Sequence, residues 1–149
     1  MHILLVADGR SPIARRWILT LKAMGHQITL VSTYPCESPE GVDTLRELPV
    51  AFASASGSQA GSKGSRRKGW MARFRPFFQR LRYRLAPLSL RRQGRAFARL
   101  VREFSPDVVH AMRIPYEGML ASHTPSNVPL IISIWGNDLT LHAPATRRM

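Results

Sequence analysis

The sequence predicts an α/β fold built on a doubly wound parallel sheet. Short, continuous apolar runs, typical of strands buried on both faces, alternate with segments whose apolar residues recur every three or four positions, as in amphipathic helices. The 149 residues correspond to one domain, and the hydrophobic share of 44% is ordinary for a globular protein. Together these observations indicate a Rossmann-like domain with helices on both faces of the sheet.

A strand and a helix open the chain. The apolar run His2–Asp8 predicts a strand buried on both faces, and Gly9 ends it. Ser11 and Pro12 then provide an N-cap and a proline at the first helical position. The residues predicted to form the apolar face of this helix are spaced by four, four and three positions: Ile13, Trp17, Leu21 and Met24.

The second strand completes a parallel β-α-β unit. Gly25 is placed to end the helix at the C′ position, and the apolar run Gln27–Ser32 predicts the strand. A parallel pair requires such a crossover, which is almost always right-handed. The prolines and acids from Tyr34 to Pro49 then predict a loop, and Val50–Ala53 predicts a short strand.

Residues 54–95 are predicted to be a flexible, basic insert inside the domain. Ser54–Gly69 is rich in glycine and serine and has almost no apolar residue, which favours a flexible segment. From Lys63 to Arg102 there are 14 lysines and arginines and no acid, whereas the other 8 basic residues face 9 acids. This stretch therefore carries all of the net charge of +13.

Two helices are predicted after the glycine-rich and serine-rich segment. The first begins near Arg75, because Pro76 interrupts the helical pattern there, and it ends at Pro87. The second spans about Ser89–Phe104. One apolar stripe of this second helix consists of Phe97, Leu100, Val101 and Phe104.

The remaining residues predict two more strands. Val108–Ala111 is a short apolar strand, and Ile114–Ser122 is a helical candidate after it. Pro125 and Pro129 bracket a turn. Leu130–Trp135 is then the last apolar run and predicts a strand.

Ligands of doubly wound sheets bind beyond the carboxyl ends of the strands, where three loops of this chain converge. These loops are Asp8–Pro12, His110–Glu117 and Trp135–Asp138. The first has one glycine in place of the G-x-G-x-x-G fingerprint, so NAD binding is poorly supported. Gly9 either lets a ligand approach the backbone ahead of a helix N-terminus that favours an anion, or only forms a turn.

Two polar side chains in these loops are open to two interpretations each. His110 follows a buried strand and is either a structural residue or an acid, base or hydrogen-bond donor near neutral pH. Asp138 is either a ligand-binding carboxylate or the N-cap of a helix that Leu139 begins, and these roles are compatible. Cys36 is the only cysteine and has no ligand spacing with the histidines, so no disulfide, metal site or cofactor is expected.

Four segments form an ordered set along the chain: MHILLVADGRSPIARRW, LKAMGHQITLVS, SPDVVHA and PLIISIWGNDL. In order and spacing they resemble the N-terminal domains of glycosyltransferase family 4, over about residues 1–53 and 95–142. The resemblance implies one half of a GT-B architecture, in which two Rossmann-like domains face each other across a cleft. Residues 1–149 would then be the acceptor-side domain, incomplete at its C-terminus and ending before the domain that binds the nucleotide sugar.

The resemblance also implies roles for individual residues. Gly9 and Arg10 would lie near the donor phosphates. Many relatives have a histidine where this chain has Trp135 and Gly136, so no catalytic residue is assigned. The residues that would line the acceptor pocket are His110, Arg113, Tyr116, Glu117, Trp135, Asn137 and Asp138.

The activity that the resemblance implies belongs to a complete enzyme of glycan biosynthesis. That hexosyltransferase moves a sugar from a nucleotide sugar to a glycan or lipid-linked acceptor, with retention of anomeric configuration and without an obligatory metal. An arginine and lysine pair in the C-terminal domain usually stabilises the leaving diphosphate. We therefore expect this chain to be inactive alone and to need a C-terminal transferase domain, which a separate chain could supply.

The arginine-rich insert supports an alternative function, a non-enzymatic α/β module that binds nucleic acid or an anionic membrane. Nucleic acid is disfavoured because no recognised nucleic-acid motif accompanies the charge. The apolar runs are too short to span a membrane, so we expect a cytoplasmic protein, held peripherally at the inner face or presenting only a solvated arginine face. The membrane-surface candidates are Trp70, Arg73, Phe74, Phe77, Phe78 and Arg80.

Overall fold

A computed structural model describes residues 1–49, 92–136 and 138–142. Five strands pair in parallel, and they are β1 (His2–Ala7), β2 (Gln27–Ser32), β3 (Thr44–Glu47), β4 (Val108–Ala111) and β5 (Leu130–Ile132). Their order across the sheet is β3-β2-β1-β4-β5. The predicted α/β class, a Rossmann-like doubly wound parallel sheet, is confirmed.

Helices lie on both faces of this sheet. Helix α1 (Pro12–Ala23) connects β1 to β2, and helix α2 (residues 92–104 as described) precedes β4 on the opposite face. A wide turn at Ile114–Gly118 and one helical turn, α3 (Met119–Ala121), connect β4 to β5. A second wide turn, Asp138–His142, follows β5.

The alternation of side chains along β1 divides the core into two clusters. Leu5 faces α1 together with Ile18, whereas Leu4 faces α2 together with Phe97. All four side chains are fully buried. Burying an aliphatic or aromatic side chain of this size contributes roughly 1.5–3 kcal/mol, so both helices stabilise the central strand.

The predicted apolar face of α1 is wrong in three of its four residues. Leu21 is buried as predicted, but Ile13 is 56% exposed, Trp17 39% and Met24 66%. The buried stripe is instead Ala14, Ile18 and Leu21. Two neighbouring stripes of α1 have helical spacing, and the stripe that contains the small Ala14 is the one that packs on the sheet.

The predicted loop from Tyr34 to Pro49 contains β3, so this part of the sequence interpretation is also wrong. The strand sits at the sheet edge and ends in the exposed, charged Arg46 and Glu47, so it has no continuous apolar run. Asp43, just before it, accepts hydrogen bonds from the Ile28 amide at 2.7 Å and from Lys22 Nζ at 2.5 Å. These bonds, the amide first, lower the pKa of Asp43.

Several other boundaries differ from the sequence-based expectation. β5 pairs only as far as Ile132, three residues short of the predicted end at Trp135. The helix predicted over Ile114–Ser122 is only partly helical, because Pro115 and Tyr116 have non-helical dihedral angles. Gly25 has a φ of +82° and ends α1 at the C′ position, as predicted.

Some predictions lie outside the described residues. They are the strand at Val50–Ala53, the segment Ser54–Gly69, the helix from Arg75 to Pro87 and the six membrane-surface candidates between Trp70 and Arg80. Within the described parts of the chain, no helix is long and apolar enough to cross a membrane.

Candidate ligand site at the carboxyl ends of the strands

The strand order creates a topological switch point between β1 and β4. Chain leaving β1 turns toward β2 and chain leaving β4 turns toward β5, so the two loops diverge and leave a crevice where doubly wound proteins bind ligands. We call this the switch-point crevice, and its cavity has a volume of about 40 Å³. Its lining residues are Ala7, Asp8, Ser11, Ala14, Met112, Arg113 and Trp135.

The loop after β1 packs tightly against the end of β2. The Gly9 amide donates to Ser32 Oγ at 3.2 Å, and the Gly9 carbonyl accepts from Arg15 Nε at 3.0 Å. A Cβ at Gly9 would lie 2.5 Å from Cys36 Sγ. Gly9 is therefore needed for a close contact between two loops, and its amide already has an acceptor.

Arg10 lies beside this loop and is held in place by two neighbours. The Asp8 carboxylate accepts from the Arg10 backbone amide, Nε and Nη2, each at 3.0 Å. The guanidinium carbon lies 4.1 Å from the centroid of the Tyr34 ring. The hydrogen bond to Asp8 is the main cause that raises the pKa of Arg10. An oriented cation therefore stands next to the N-terminus of α1.

The loop after β4 contains a buried carboxylate, Glu117. Its Oε2 accepts from Arg113 Nε at 3.2 Å, and its Oε1 accepts from Thr33 Oγ1 at 3.2 Å. Only 1% of Glu117 is exposed. Burial raises the pKa of Glu117, and the charge of Arg113 opposes that rise. Arg113 is half-buried, and its guanidinium carbon lies 6.0 Å from the centroid of the Trp135 ring. Among the seven lining residues of the switch-point crevice, Arg113 is the one basic residue, and its bond to Glu117 holds it in place.

Asp138 ties the loops after β4 and β5 together. Its Oδ2 accepts from the Ile114 amide at 3.1 Å and from the Trp135 amide at 3.0 Å. The side chain is buried, and Oδ1 has no hydrogen-bond partner among the described residues. The bonds of Asp138 resemble those of a helix N-cap, because its carboxylate accepts from backbone amides. They differ from a cap in that the two amides belong to different loops.

His110 lies on the α1 face of the sheet, beside a larger depression. Its Nε2 is 2.8 Å from Ser133 Oγ, and its ring meets the Trp17 ring edge-on at 6.1 Å. Burial lowers the pKa of His110. The depression runs between α1 and the ends of β4 and β5, has a volume of about 660 Å³, and is called the α1 groove below. Its lining residues are Pro12, Ile13, Arg16, Trp17, Thr20, His110, Met112, Ser133 and Trp135.

The structure thus brings most of the expected pocket residues into two adjoining places. Arg113 and Trp135 border the crevice, with Glu117 and Asp138 behind them, and His110 borders the groove. Trp135 borders both. Tyr116 is buried in the same loop at a φ of +64°, a strained value for a non-glycine residue, and Asn137 lies outside the described residues.

The sequence interpretation missed residues that complete these two places. Ser32 ends β2, Thr33 follows it, and Ser133 follows β5. Because ligands of such folds bind beyond the strand ends, these positions could have been predicted from the sequence. Trp17 and Arg16 were missed because Trp17 was assigned to the buried face of α1. Within the described residues, no group of three or more histidine, cysteine or acidic side chains is arranged to hold a metal ion.

The relationship of the chain to known proteins agrees with this geometry. Residues 2–149 match the family model described as glycosyl transferase 4-like. No curated protein and no solved structure matches the chain. Because the family match extends over nearly the whole sequence and the sheet has the expected α/β architecture, the chain belongs to the glycosyl transferase 4-like family.

Proposed function

We propose that residues 1–149 are the acceptor-side domain of a retaining glycosyltransferase with a GT-B architecture. The complete enzyme transfers a sugar from a nucleotide sugar to a glycan or lipid-linked acceptor. The observation that carries this proposal is the switch-point crevice, with Arg113 and Trp135 at its border, in a chain of the glycosyl transferase 4-like family. Ligands of doubly wound folds usually bind at such a switch point.

Within this function, Arg113 contacts the acceptor and Glu117 is a positioning residue. The guanidinium can donate to a hydroxyl or an anionic group of the acceptor, and its Nε is held by the buried Glu117 carboxylate. Asp138 holds together the loops that carry Arg113 and Trp135, because its carboxylate accepts from the amides of Ile114 and Trp135. A preorganised cation of this kind loses little conformational entropy when the acceptor binds.

The donor phosphates are expected at the other rim of the crevice. The Gly9 amide already donates to Ser32 and the Asp8 carboxylate binds Nε and Nη2 of Arg10, so the group available to a phosphate is Nη1 of Arg10, beside the N-terminus of α1. The nucleotide-sugar half of the cleft is supplied by a second Rossmann-like domain. The nucleotide sugar would bind there as a substrate of the complete enzyme.

Sugar transfer by a reconstituted enzyme tests this proposal. The 149-residue chain is joined to a donor-binding domain of a glycosyl transferase 4-like protein, and release of nucleoside diphosphate is measured with a panel of glycan and lipid-linked acceptors. We expect transfer from the joined protein and none from either part alone. Arg113→Ala should raise the acceptor KM, whereas Arg99→Ala on the opposite sheet face should not.

A folded, donor-binding fusion that transfers sugar to no acceptor would contradict the acceptor-side assignment. An Arg113→Ala variant with unchanged acceptor KM would contradict the role of Arg113 alone. Glu117→Gln is informative as well, because a positioning residue should affect acceptor KM through Arg113. The double variant Glu117→Gln/Arg113→Ala should then be no worse than Arg113→Ala.

A second candidate function is peripheral binding to a polyanionic surface. One structural observation favours it, since Arg92, Arg95, Arg99 and Arg102 are all exposed on α2 at spacings of three, four and three, which places them on one helix face. These four arginines belong to the stretch from Lys63 to Arg102, which has 14 lysines and arginines and no acid. Each such residue near an anionic leaflet contributes about 1 kcal/mol.

Sedimentation with lipid vesicles distinguishes the two polyanions. The chain is mixed with phosphatidylglycerol-containing vesicles or with duplex DNA across a salt series. We expect binding to anionic vesicles at physiological salt, weakened by Arg95→Ala/Arg99→Ala but not by Lys22→Ala, which removes an exposed cation from α1 on the other sheet face. Tighter binding to DNA would favour a nucleic-acid module, and binding to neither would leave α2 as a solvated face.

A further inference from the structure

The α1 groove is lined by large apolar side chains that are exposed. Trp17 and Ile13 project from α1 into its lining, and Ile131, 53% exposed, pairs with His110 in the sheet and so lies on the same sheet face beside it. Exposed apolar side chains that cluster in a concavity mark binding sites more often than isolated ones do. The volume of about 660 Å³ is within the range of small-molecule sites.

The polar side chains of the groove are mostly bonded within the protein. His110 Nε2 and Ser133 Oγ are hydrogen-bonded to each other at 2.8 Å. The Thr20 hydroxyl donates to the Arg16 carbonyl at 3.0 Å. A bare sugar ring carries several hydroxyl groups that need free partners when buried, and this floor offers few. The groove is therefore better suited to an apolar chain than to a bare sugar.

The charge at the rim of the α1 groove indicates which polar group a bound apolar chain would carry. Arg16 is exposed at the rim, and the nine lining residues include no carboxylate. His110 adds no second positive charge near neutral pH, since burial lowers its pKa. One unopposed guanidinium beside an apolar groove is complementary to one anionic group at the end of an apolar chain.

We propose that the α1 groove binds a single-chain anionic amphiphile, with the chain against Trp17 and Ile13 and the anionic head at Arg16. The link to sugar transfer rests on the proposed function: in the complete enzyme this amphiphile is the lipid-linked acceptor. Trp135 borders both the groove and the crevice, so a head group at the groove mouth lies next to the site of transfer. The binding itself requires no second domain.

Calorimetric titration of the 149-residue chain tests the binding directly. The probe is dodecyl phosphate below its critical micelle concentration, with dodecyl maltoside and inorganic phosphate as comparisons. We expect one dodecyl phosphate per chain, weaker binding of dodecyl maltoside, and no measurable binding of inorganic phosphate. Because no sugar is transferred in this assay, its result is independent of whether the reconstituted enzyme is active.

Matched variants on α1 locate the site. Trp17→Ala should weaken dodecyl phosphate binding at least about tenfold, as expected for an aromatic anchor. Leu19→Ala removes another exposed apolar side chain of α1 that does not line the groove, and it should leave the affinity unchanged. Far-ultraviolet circular dichroism checks that both variants fold.

A second pair of variants separates the head group from the chain. Arg16→Ala should weaken dodecyl phosphate about fivefold, the value of one exposed charge pair, and should not affect dodecyl maltoside. Lys22→Ala removes another exposed cation of α1 that does not line the groove, and it should affect neither. Equal loss in Arg16→Ala and Lys22→Ala would mean that the probe follows general positive charge, and this would overturn the proposal.

Two further results would also overturn it. One is unchanged affinity in Trp17→Ala and Arg16→Ala, which would place the probe elsewhere on the chain. The other is a concentration-dependent dimer, seen by sedimentation velocity, that Trp17→Ala dissociates. That result would assign the groove to a second copy of the chain.

Discussion

Glu117 experiences two opposing effects at the residue scale. Burial penalises the charged carboxylate and raises its pKa, whereas the charge of Arg113 and the bonds from Arg113 and Thr33 favour the ionised form. Burial is the larger effect, so the folded protein holds a proton on this group more tightly than the unfolded chain does. Stability must then depend on pH.

Glu117→Gln should remove this dependence. With a folded pKa above the ordinary value of 4.5, the group stabilises the fold fully below pH 4.5, and the stabilisation is lost as pH rises through the folded pKa. The free energy of unfolding of the native chain minus that of Glu117→Gln should therefore fall as the pH rises above about 4.5, and it should level off once the pH has passed the folded pKa. Urea denaturation measures it, and a difference that stays constant would contradict the prediction.

The matched control for this prediction is Glu40→Gln. Glu40 is exposed and belongs to the segment before β3, away from the buried Arg113 and Glu117 pair. Its variant should have a free energy of unfolding that parallels that of the native chain at every pH. A similar slope in both variants would mean that the dependence arises from total charge and not from burial.

At the scale of elements, α1 has two apolar stripes with helical spacing, and only one of them is buried. Ile13 and Ile18 are the same residue type on the same helix, but Ile13 is exposed and Ile18 is fully buried in the core cluster beneath α1. The helical period is satisfied by either stripe. The contact with the sheet selects the one that contains Ala14, because a small side chain there lets the helix approach closely.

This selection predicts unequal costs for one substitution. Ile18→Ala should lower the free energy of unfolding by about 2–5 kcal/mol, because it leaves a cavity in the core. Ile13→Ala should change it by less than about 0.5 kcal/mol, as exposed positions usually do. Chemical denaturation measures both, and equal effects would mean that α1 is rotated relative to its described orientation.

The loops after β4 and β5 form a second element-scale unit through Asp138. Asp138→Ala leaves the amides of Ile114 and Trp135 without their acceptor and should cost about 2–4 kcal/mol. Hydrogen exchange of these two amides should accelerate more than exchange within β1. Asp107→Ala, which removes the acceptor of the exposed His2 amide, is the control with a smaller expected effect. Unchanged exchange at both loop amides would contradict the linkage.

The whole molecule depends on one sheet that both core clusters share. Leu4 and Leu5 are neighbours in β1, but one belongs to the cluster under α2 and the other to the cluster under α1. Loss of packing on either face therefore affects the same central strand. A single domain of this size is expected to unfold in one cooperative step.

Phe97→Ala tests this coupling across the sheet. The variant should lose about 3–5 kcal/mol of stability, since Phe97 is fully buried. The slowest-exchanging amides of α1, on the opposite face, should lose protection by the same amount because they exchange through global unfolding. Leu19→Ala should leave them unchanged. Protected α1 amides in a destabilised Phe97→Ala variant would show that the two faces unfold separately.

Much of the architecture was predictable because it depends on near neighbours along the chain. The buried strands β1, β2 and β4 are short apolar runs, and Gly25 ends α1, as expected from residues within a few positions of each other. β3 was not predictable in this way. It is an edge strand with little apolar content, and pairing with β2 together with the bonds of Asp43 stabilises it.

The candidate site likewise has some features that the sequence predicted and others that only the structure shows. By itself the sequence determined the α/β class and the positions of the loops after β1 and β4, and the resemblance implied an acceptor pocket that included His110, Arg113 and Glu117. Only the tertiary structure decided that Glu117 bonds to Thr33, 84 residues away, and that His110 bonds to Ser133, 23 residues away. The physical reason is that periodicity reflects contacts within one helix or strand, whereas burial, charge pairing and the exposure of Trp17 in the α1 groove arise when separate elements pack together.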